Sequence, residues 1–284
     1  MPPQALIPDI LRVAFEIAAR QDSSGRTALK LALVSRLVRS WIDIVLYEVV
    51  RLYRYRTSIN FLWTIENSAG KPLAFFSTHV KSLCILFDMP AEHLAKIISV
   101  CQGIQNLTTW FLPDPHAQIY FLPDSMLALR PRKLSAWHGV LHSPDPQFWL
   151  PFFNNITHLT VVNTWQDWTT WPGFGLPSLT HLSLDVAFGA RVLGGGDILS
   201  IARAVDAILT NCAYIQVCAL RVDQPAESPT VATMLDCLAD ARVVFFRAGE
   251  PFRIREAHSH EEAVIWEVLE EAVERQRGGH GMMA

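Results

Sequence analysis

Several ingredients of familiar activities are scarce or missing in this chain of 284 residues. Its net charge is -3, and no cluster of Lys and Arg supplies the footprint that binding to phosphate backbones needs. Arg51, Arg54 and Arg56 come nearest, and they read as the solvated ends of a strand. No stretch approaches the roughly 18 uninterrupted apolar residues of a membrane span. The N-terminus has no basic n-region, and Asp9 and Arg12 interrupt its apolar run, so a signal peptide is not expected. Neither nucleic acid nor a membrane is an expected partner.

The five cysteines (Cys84, Cys101, Cys212, Cys218, Cys237) are scattered and show no CxxC spacing. That suits reduced thiols in a cytoplasmic or nuclear protein. Without a secretion signal, Asn106-Leu107-Thr108 and Asn155-Ile156-Thr157 read as chance matches to a glycosylation pattern. There is no GxSxG elbow, P-loop, HExxH or GxGxxG. Gly194-Gly195-Gly196 lacks the Lys and Ser/Thr of a phosphate cradle. His258-Ser259-His260-Glu261-Glu262 holds two His at a spacing that points them apart on a helix, with no third ligand nearby. The expectation is no catalysis, no cofactor and no metal.

What the chain does have is apolar pattern. Hydrophobic residues make up 50% and charged residues 18%, which indicates an ordered, core-rich protein. From Ile7 to Tyr47 two amphipathic helical runs flank a polar turn, Gln21 to Arg26. Ile10, Leu11, Ala14, Phe15 and Ala18 stripe the first, and Pro8-Asp9 gives it a natural start. Leu29, Leu33, Leu37, Trp41 and Val45 stripe the second at i, i+4 spacing. So small a module docks onto the rest of the chain or onto a partner. Leu33, Leu37 and Val45 are expected to face the rest of the chain.

Beyond residue 79 one pattern recurs: an apolar residue, two others, a Leu, and an apolar residue two further on. The copies begin at Val80, Ile104, Pro131, Ile156 and Leu179, with degenerate copies from Ile215 and Ala241. Leu83, Leu107, Leu134, Leu159 and Leu182 are spaced 24, 27, 25 and 23 apart, a period that signals a solenoid. Within each copy the alternation suits a short strand, with positions 1, 4 and 6 inward and 3 and 5 outward. Helix candidates lie between the strands at Ala91 to Val100, Gln147 to Asn154, Asp197 to Thr210 and Ser228 to Ala239. Asp197 is a candidate N-cap. A final acidic helix, Ser259 to Arg277, is expected to cover the end of the solenoid, followed by a disordered tail, Gly278 to Ala284.

With both halves read, the chain resembles the divergent F-box-like, leucine-rich-repeat proteins numerous in mushroom-forming fungi. Ile7-Pro8 stands where that family has Leu-Pro, and Ile10, Leu11 and Phe15 match its first helix. Leu31, Leu33, Val34, Ser35, Arg36 and Trp41 match the second. Leu46 to Leu52 resembles its first strand. The Asn that normally follows each repeat strand is missing, and one unit stretches to 36 residues between Leu182 and Cys218.

The resemblance implies an α/β fold: an F-box-like helical module (1–47), then an irregular leucine-rich-repeat-like solenoid of parallel strands with a C-terminal capping helix (48–277). It also implies a substrate-recognition subunit of an SCF-type ubiquitin ligase. A Skp-type adaptor, and through it the cullin complex, would meet Ile7, Pro8, Ile10, Leu11, Phe15, Val34, Arg36 and Trp41. An unidentified protein target would meet the outward column and its aromatic neighbours: Asn106, Trp110, Lys133, Trp137, His158, His181, Trp165, Trp168 and Trp171. The alternative is a stand-alone repeat scaffold for protein interactions, its helices serving as an N-terminal cap.

Overall fold

The computed structural model describes residues 8–22, 25–67, 70–87, 89–110, 124–136, 141, 147–162, 164–171, 174–186, 195–222, 233–234, 236–238, 240–247 and 259–280. The protein is α/β. One open sheet of eight parallel strands runs in sequence order: β1 (Val49–Leu52), β2 (Ser82–Ile85), β3 (Asn106–Thr109), β4 (Lys133–Ala136), β5 (His158–Val161), β6 (His181–Asp185), β7 (Val217–Val222) and β8 (Val243–Arg247). Helices α1 (Pro8–Gln21), α2 (Arg26–Leu31) and α3 (Arg36–Glu48) precede β1. Helices α4 (Tyr55–Asn67), α5 (Leu73–His79), α6 (Ala91–Val100), α7 (Asp124–Leu127), α8 (Trp165–Trp168) and α9 (Gly195–Asn211) lie between strands, and α10 (Ser259–His280) follows them.

The repeat sets the register. Ser82 pairs with Asn106, Asn106 with Lys133, Lys133 with His158, and His158 with His181. Each third position therefore stacks on the next. Fourth-position Leu83, Leu107, Leu134, Leu159 and Leu182 all point into one buried core with Ile97 and Ile98 of α6 and Ile201 and Val205 of α9. A backbone ladder enters each strand at the same place: the amides of Gln105, Arg132, Thr157, Thr180 and Gln216 donate to the carbonyls of Lys81, Gln105, Arg132, Thr157 and Thr180 at 2.7–2.9 Å. Identical hydrogen bonding at identical motif positions is what makes the repeat structural.

The last copy departs from this register. Cys218 pairs with Val243, not Val244, a slip of one residue that exchanges the faces of every side chain on β8. Val243 joins the main core, whereas Val244 and Phe246 lie against α10 with Trp266, Leu269 and Val273. The helix α10 thus covers the outer face of the sheet instead of its end, and it continues through Gly278 to His280 where a disordered tail was expected. Val217, Ala219 and Val244 are apolar on that face because α10 buries them. A parallel sheet covered on both sides favours apolar strands.

Other elements also differ from expectation. Helix α9 starts at Gly195, which puts Asp197 in the first turn instead of at the cap. Only a 3-10 turn, Pro151–Phe153, forms within 147–154, and most of 228–239 lies outside the described residues. The strand predicted from Leu46 begins at Val49, because α3 continues to Glu48.

Candidate functional site

The N-terminal helices pack around a small cluster of their own. Ala19, Ala28, Val38 and Ile42 are buried, with Phe15, Leu31, Trp41, Val45 and Leu46 half-buried around them. The second run is not one helix. A turn at Ala32–Val34 ends α2, and the Ser35 hydroxyl accepts from the Val38 amide at 3.1 Å to cap α3. Gly25, at φ +70°, and the Asp22 carboxylate, which accepts from the Thr27 amide at 2.7 Å, shape the turn before α2. The break at Ser35 moves the inward stripe of α3 to Val38 and Ile42. Leu33 and Leu37, expected to pack against the rest of the chain, are instead 86% and 58% exposed.

That leaves an apolar surface with no partner among the described residues. Ile10, Val13 and Ile17 repeat at i, i+3 and i+7 on one face of α1 and are exposed, as are Leu29, Val34 and Leu37. Asp9, Ile10, Val13, Ala14 and Ile17 line an open depression there. Of the residues predicted to contact an adaptor, Pro8, Ile10, Val34 and Arg36 are exposed and Leu11 is half-buried. Phe15 and Trp41 serve the module's own cluster. Ile7 lies outside the described residues. Val13 and Ile17 fall outside the stripe expected on the first helix, although their i, i+3, i+7 spacing from Ile10 was there to read, and Leu29 of the second stripe is exposed.

The module joins the body without a linker. Helix α3 runs from Glu48 straight into β1, and Tyr47 meets Phe61, Phe75 and Phe76 at ring distances of 5.6–6.5 Å. Arg20 of α1 bonds Glu48 at 3.1 Å.

On the outer face of the sheet, Asn106 and Lys133 are half-buried. Trp110 is buried, its indole N–H donating to the Ser135 hydroxyl at 2.8 Å. Trp137 lies outside the described residues. The Trp165 loop does not form an exposed aromatic patch: Trp168 and Trp171 are core residues, and Trp165 packs half-buried against the same core. The Trp168 indole N–H donates to the Asp185 carbonyl at 2.9 Å. The carboxylate of Asp185 in turn pairs with Arg221, its register partner on β7, and both are buried.

His158 and His181 stack face to face, centroids 4.2 Å apart and planes within 1°. Trp266 of α10 presents itself edge-on to both rings at 5.4 Å. Burial, with His181 and Lys133 nearby, drives the His158 pKa down to about 3. Burial also lowers that of His181, although the Glu270 carboxylate opposes the shift. Both imidazoles are therefore neutral near pH 7. The chain's own C-terminal helix covers these two predicted target contacts, an arrangement no local pattern announces. Burial raises the thiols of Cys101 and Cys218 to about 12, so neither is a thiolate nucleophile. None of the described helices is long and apolar enough to cross a membrane.

Comparison with protein-family models, with curated proteins and with solved structures finds no match to this chain.

Proposed function

We propose that this protein is a non-catalytic substrate-recognition subunit of an SCF-type ubiquitin ligase, working in the cytoplasm or nucleus. In this reading α1–α3 are an F-box-like module that holds a Skp-type adaptor, and the sheet units are divergent leucine-rich repeats that present a target protein. One observation carries it: the helical module is internally packed yet leaves Ile10, Val13, Ile17, Leu29, Leu33, Val34 and Leu37 facing outward. Exposed apolar side chains gathered on so small a module, with Ile10, Val13 and Ile17 lining one depression, are the kind of surface that marks an interaction site. Three of its members, Ile10, Leu33 and Val34, belong to the motif that resembles the F-box.

The stiff junction at Tyr47 and Glu48 suits the role. A ligase subunit acts by holding its target at high effective concentration near the activated ubiquitin, which needs a fixed geometry between the two binding surfaces. Because α10 lies over His158 and His181, the target surface in this reading centres on Asn106 and Lys133. The test is a pull-down of a Skp-type adaptor by the full chain and by an Ile10→Asp/Leu33→Asp double variant. Capture by the parent chain and loss in the variant is the expected result. No capture, or undiminished capture by the variant, overturns the ligase role and leaves a stand-alone scaffold.

A further inference from the structure

The same two residues, Thr then His, occur at the same register position on adjacent strands: Thr157-His158 entering β5 and Thr180-His181 entering β6. The Thr157 hydroxyl donates to the Arg132 carbonyl at 3.1 Å, and the Thr180 hydroxyl to the Thr157 carbonyl at 3.1 Å. Each hydroxyl proton is thus committed, so each Thr oxygen accepts from the Nδ1–H of its own neighbouring imidazole, at 2.9 Å for His158 and 2.8 Å for His181. In this arrangement each Nδ1 carries the proton and each Nε2 keeps a lone pair for a ligand.

Into this site α10 delivers a carboxylate. Glu270 Oε1 lies 2.9 Å from His181 Nε2, an ion-pair distance, but the buried nitrogen makes no well-aligned hydrogen bond to it. His181 is only 6% exposed. A lone pair on the buried nitrogen and a carboxylate oxygen held this close call for a cation between them, a proton or a metal ion, which the half-exposed Glu270 lets in from solvent. At the tetrahedral angle, bonds of about 2.0–2.1 Å to the nitrogen and about 2.0–2.2 Å to the oxygen hold the two atoms about 3.4 Å apart, so taking up an ion opens the 2.9 Å contact by about half an ångström. The donor atoms of His158, His181 and Glu270 all lie within 4.8 Å of one another.

We propose that His158, His181 and Glu270 form a binding site for a divalent transition-metal ion of the zinc class, which staples α10 to the outer face of the sheet. Two imidazoles and a carboxylate are the donor set that Zn2+ and Co2+ accept, with water in the remaining position. The Thr hydroxyls supply the outer contacts that orient metal-binding imidazoles. The stacked rings hold their lone pairs side by side, so binding turns His158 Nε2 out of the stack toward His181. Lys133, half-buried and paired with His158 in register, is the cation that a bound ion would face. The ion explains why a polar pair occupies a face where Val217, Ala219 and Val244 meet the same helix with apolar contacts alone. The inference does not depend on the ligase reading, whose adaptor surface is on α1–α3.

The experiment is a Co2+ titration of the chelator-stripped full chain, followed by visible absorption, with Zn2+ as competitor. One saturating equivalent is expected, displaced by Zn2+. Affinity should fall at least tenfold in Glu270→Gln, a half-exposed position that tolerates the change, and about tenfold in Thr180→Val, which removes the orienting contact to His181 together with the bond to the Thr157 carbonyl and leaves all three ligands in place. A His258→Gln/His260→Gln variant should titrate like the parent. No saturable absorption in the parent means that a proton on His181 does the work of the ion, and this overturns the site. Unchanged titration in Glu270→Gln, or loss in the His258/His260 variant, overturns it equally.

Discussion

Lys71 Nζ lies 3.0 Å from the Asp43 carboxylate of α3 and also sits over the Tyr47 ring, 5.2 Å from its centroid. The two side chains are only 11% and 17% exposed, so water screens the pair weakly. One lysine from the segment between α4 and α5 thereby fastens the N-terminal helices to the sheet body through charge and ring together.

Lys71→Met should therefore cost about 1–2 kcal/mol, between the values typical of exposed and fully buried pairs. Because the pair joins two parts of the chain, urea unfolding should also broaden, with α1–α3 melting before the sheet. Tryptophan fluorescence compared with far-ultraviolet dichroism reads the difference. Coincident transitions with unchanged midpoint would show the contact to be idle.

Two large side chains that look alike in the sequence should behave oppositely. Trp168→Ala removes a core residue that is 1% exposed and should cost about 3–5 kcal/mol. Leu33→Ser alters a residue that is 86% exposed and should change stability by less than about 0.5 kcal/mol. Denaturant midpoints of the two variants check this directly.

Two glycines are required for different reasons. At Gly103 a Cβ would fall 2.1 Å from the backbone carbonyl oxygen of Ser77, so Gly103→Ala must move main chain and should cost about 1–3 kcal/mol. Gly25, at φ +70° with open space around it, should lose about 1 kcal/mol on substitution by Ala from conformation alone. Gly70→Ala meets nothing within 4 Å and serves as the control, with no loss expected. Thermal melts of the three variants should rank in that order.

The turn into β8 carries an acid-sensitive contact. Hydrogen bonds from the Arg242 side chain, which outweigh the opposing effect of burial, hold the Asp240 pKa below its ordinary value. Arg242 also reaches toward the carbonyls of Ile215 and Leu209, both at 3.4 Å. A carboxylate with a lowered folded-state pKa stabilises the fold above its unfolded pKa of about 3.9, and that contribution disappears as pH falls through the folded value. Asp240→Asn should cost less than about 1 kcal/mol at neutral pH, since the pair is partly solvated. Between about pH 5 and pH 2 the variant should lose less stability than the parent. Equal acid dependence in the two proteins would remove Asp240 from the titration.

The strands were legible because their signal is local. Alternation around Leu83, Leu107, Leu134, Leu159 and Leu182 reports a face buried within one strand, and neighbouring copies inherit the same register. The slip at β8 was not legible, since Val243 and Val244 are both β-branched and either can face inward. Helices α4 and α5 sit between β1 and the first clear repeat, where no periodic copy announced them. The Trp165 loop misled for a related reason: aromatic spacing says nothing about which side of the chain holds water.

By itself the sequence determined an α/β chain of recurring strand units behind an amphipathic helical module, because burial with period two or near four residues is written in neighbouring positions. Only the tertiary structure decided which apolar residues stay outside. Ser35 restarts the helix and turns Leu33 and Leu37 to solvent, and the indoles of Trp168 and Trp171 go into the core. It also decided that α10 crosses the outer face and brings Glu270 to His158 and His181. Those outcomes depend on contacts between residues far apart in the chain, where solvent exclusion and charge are settled by what packs alongside and not by local spacing.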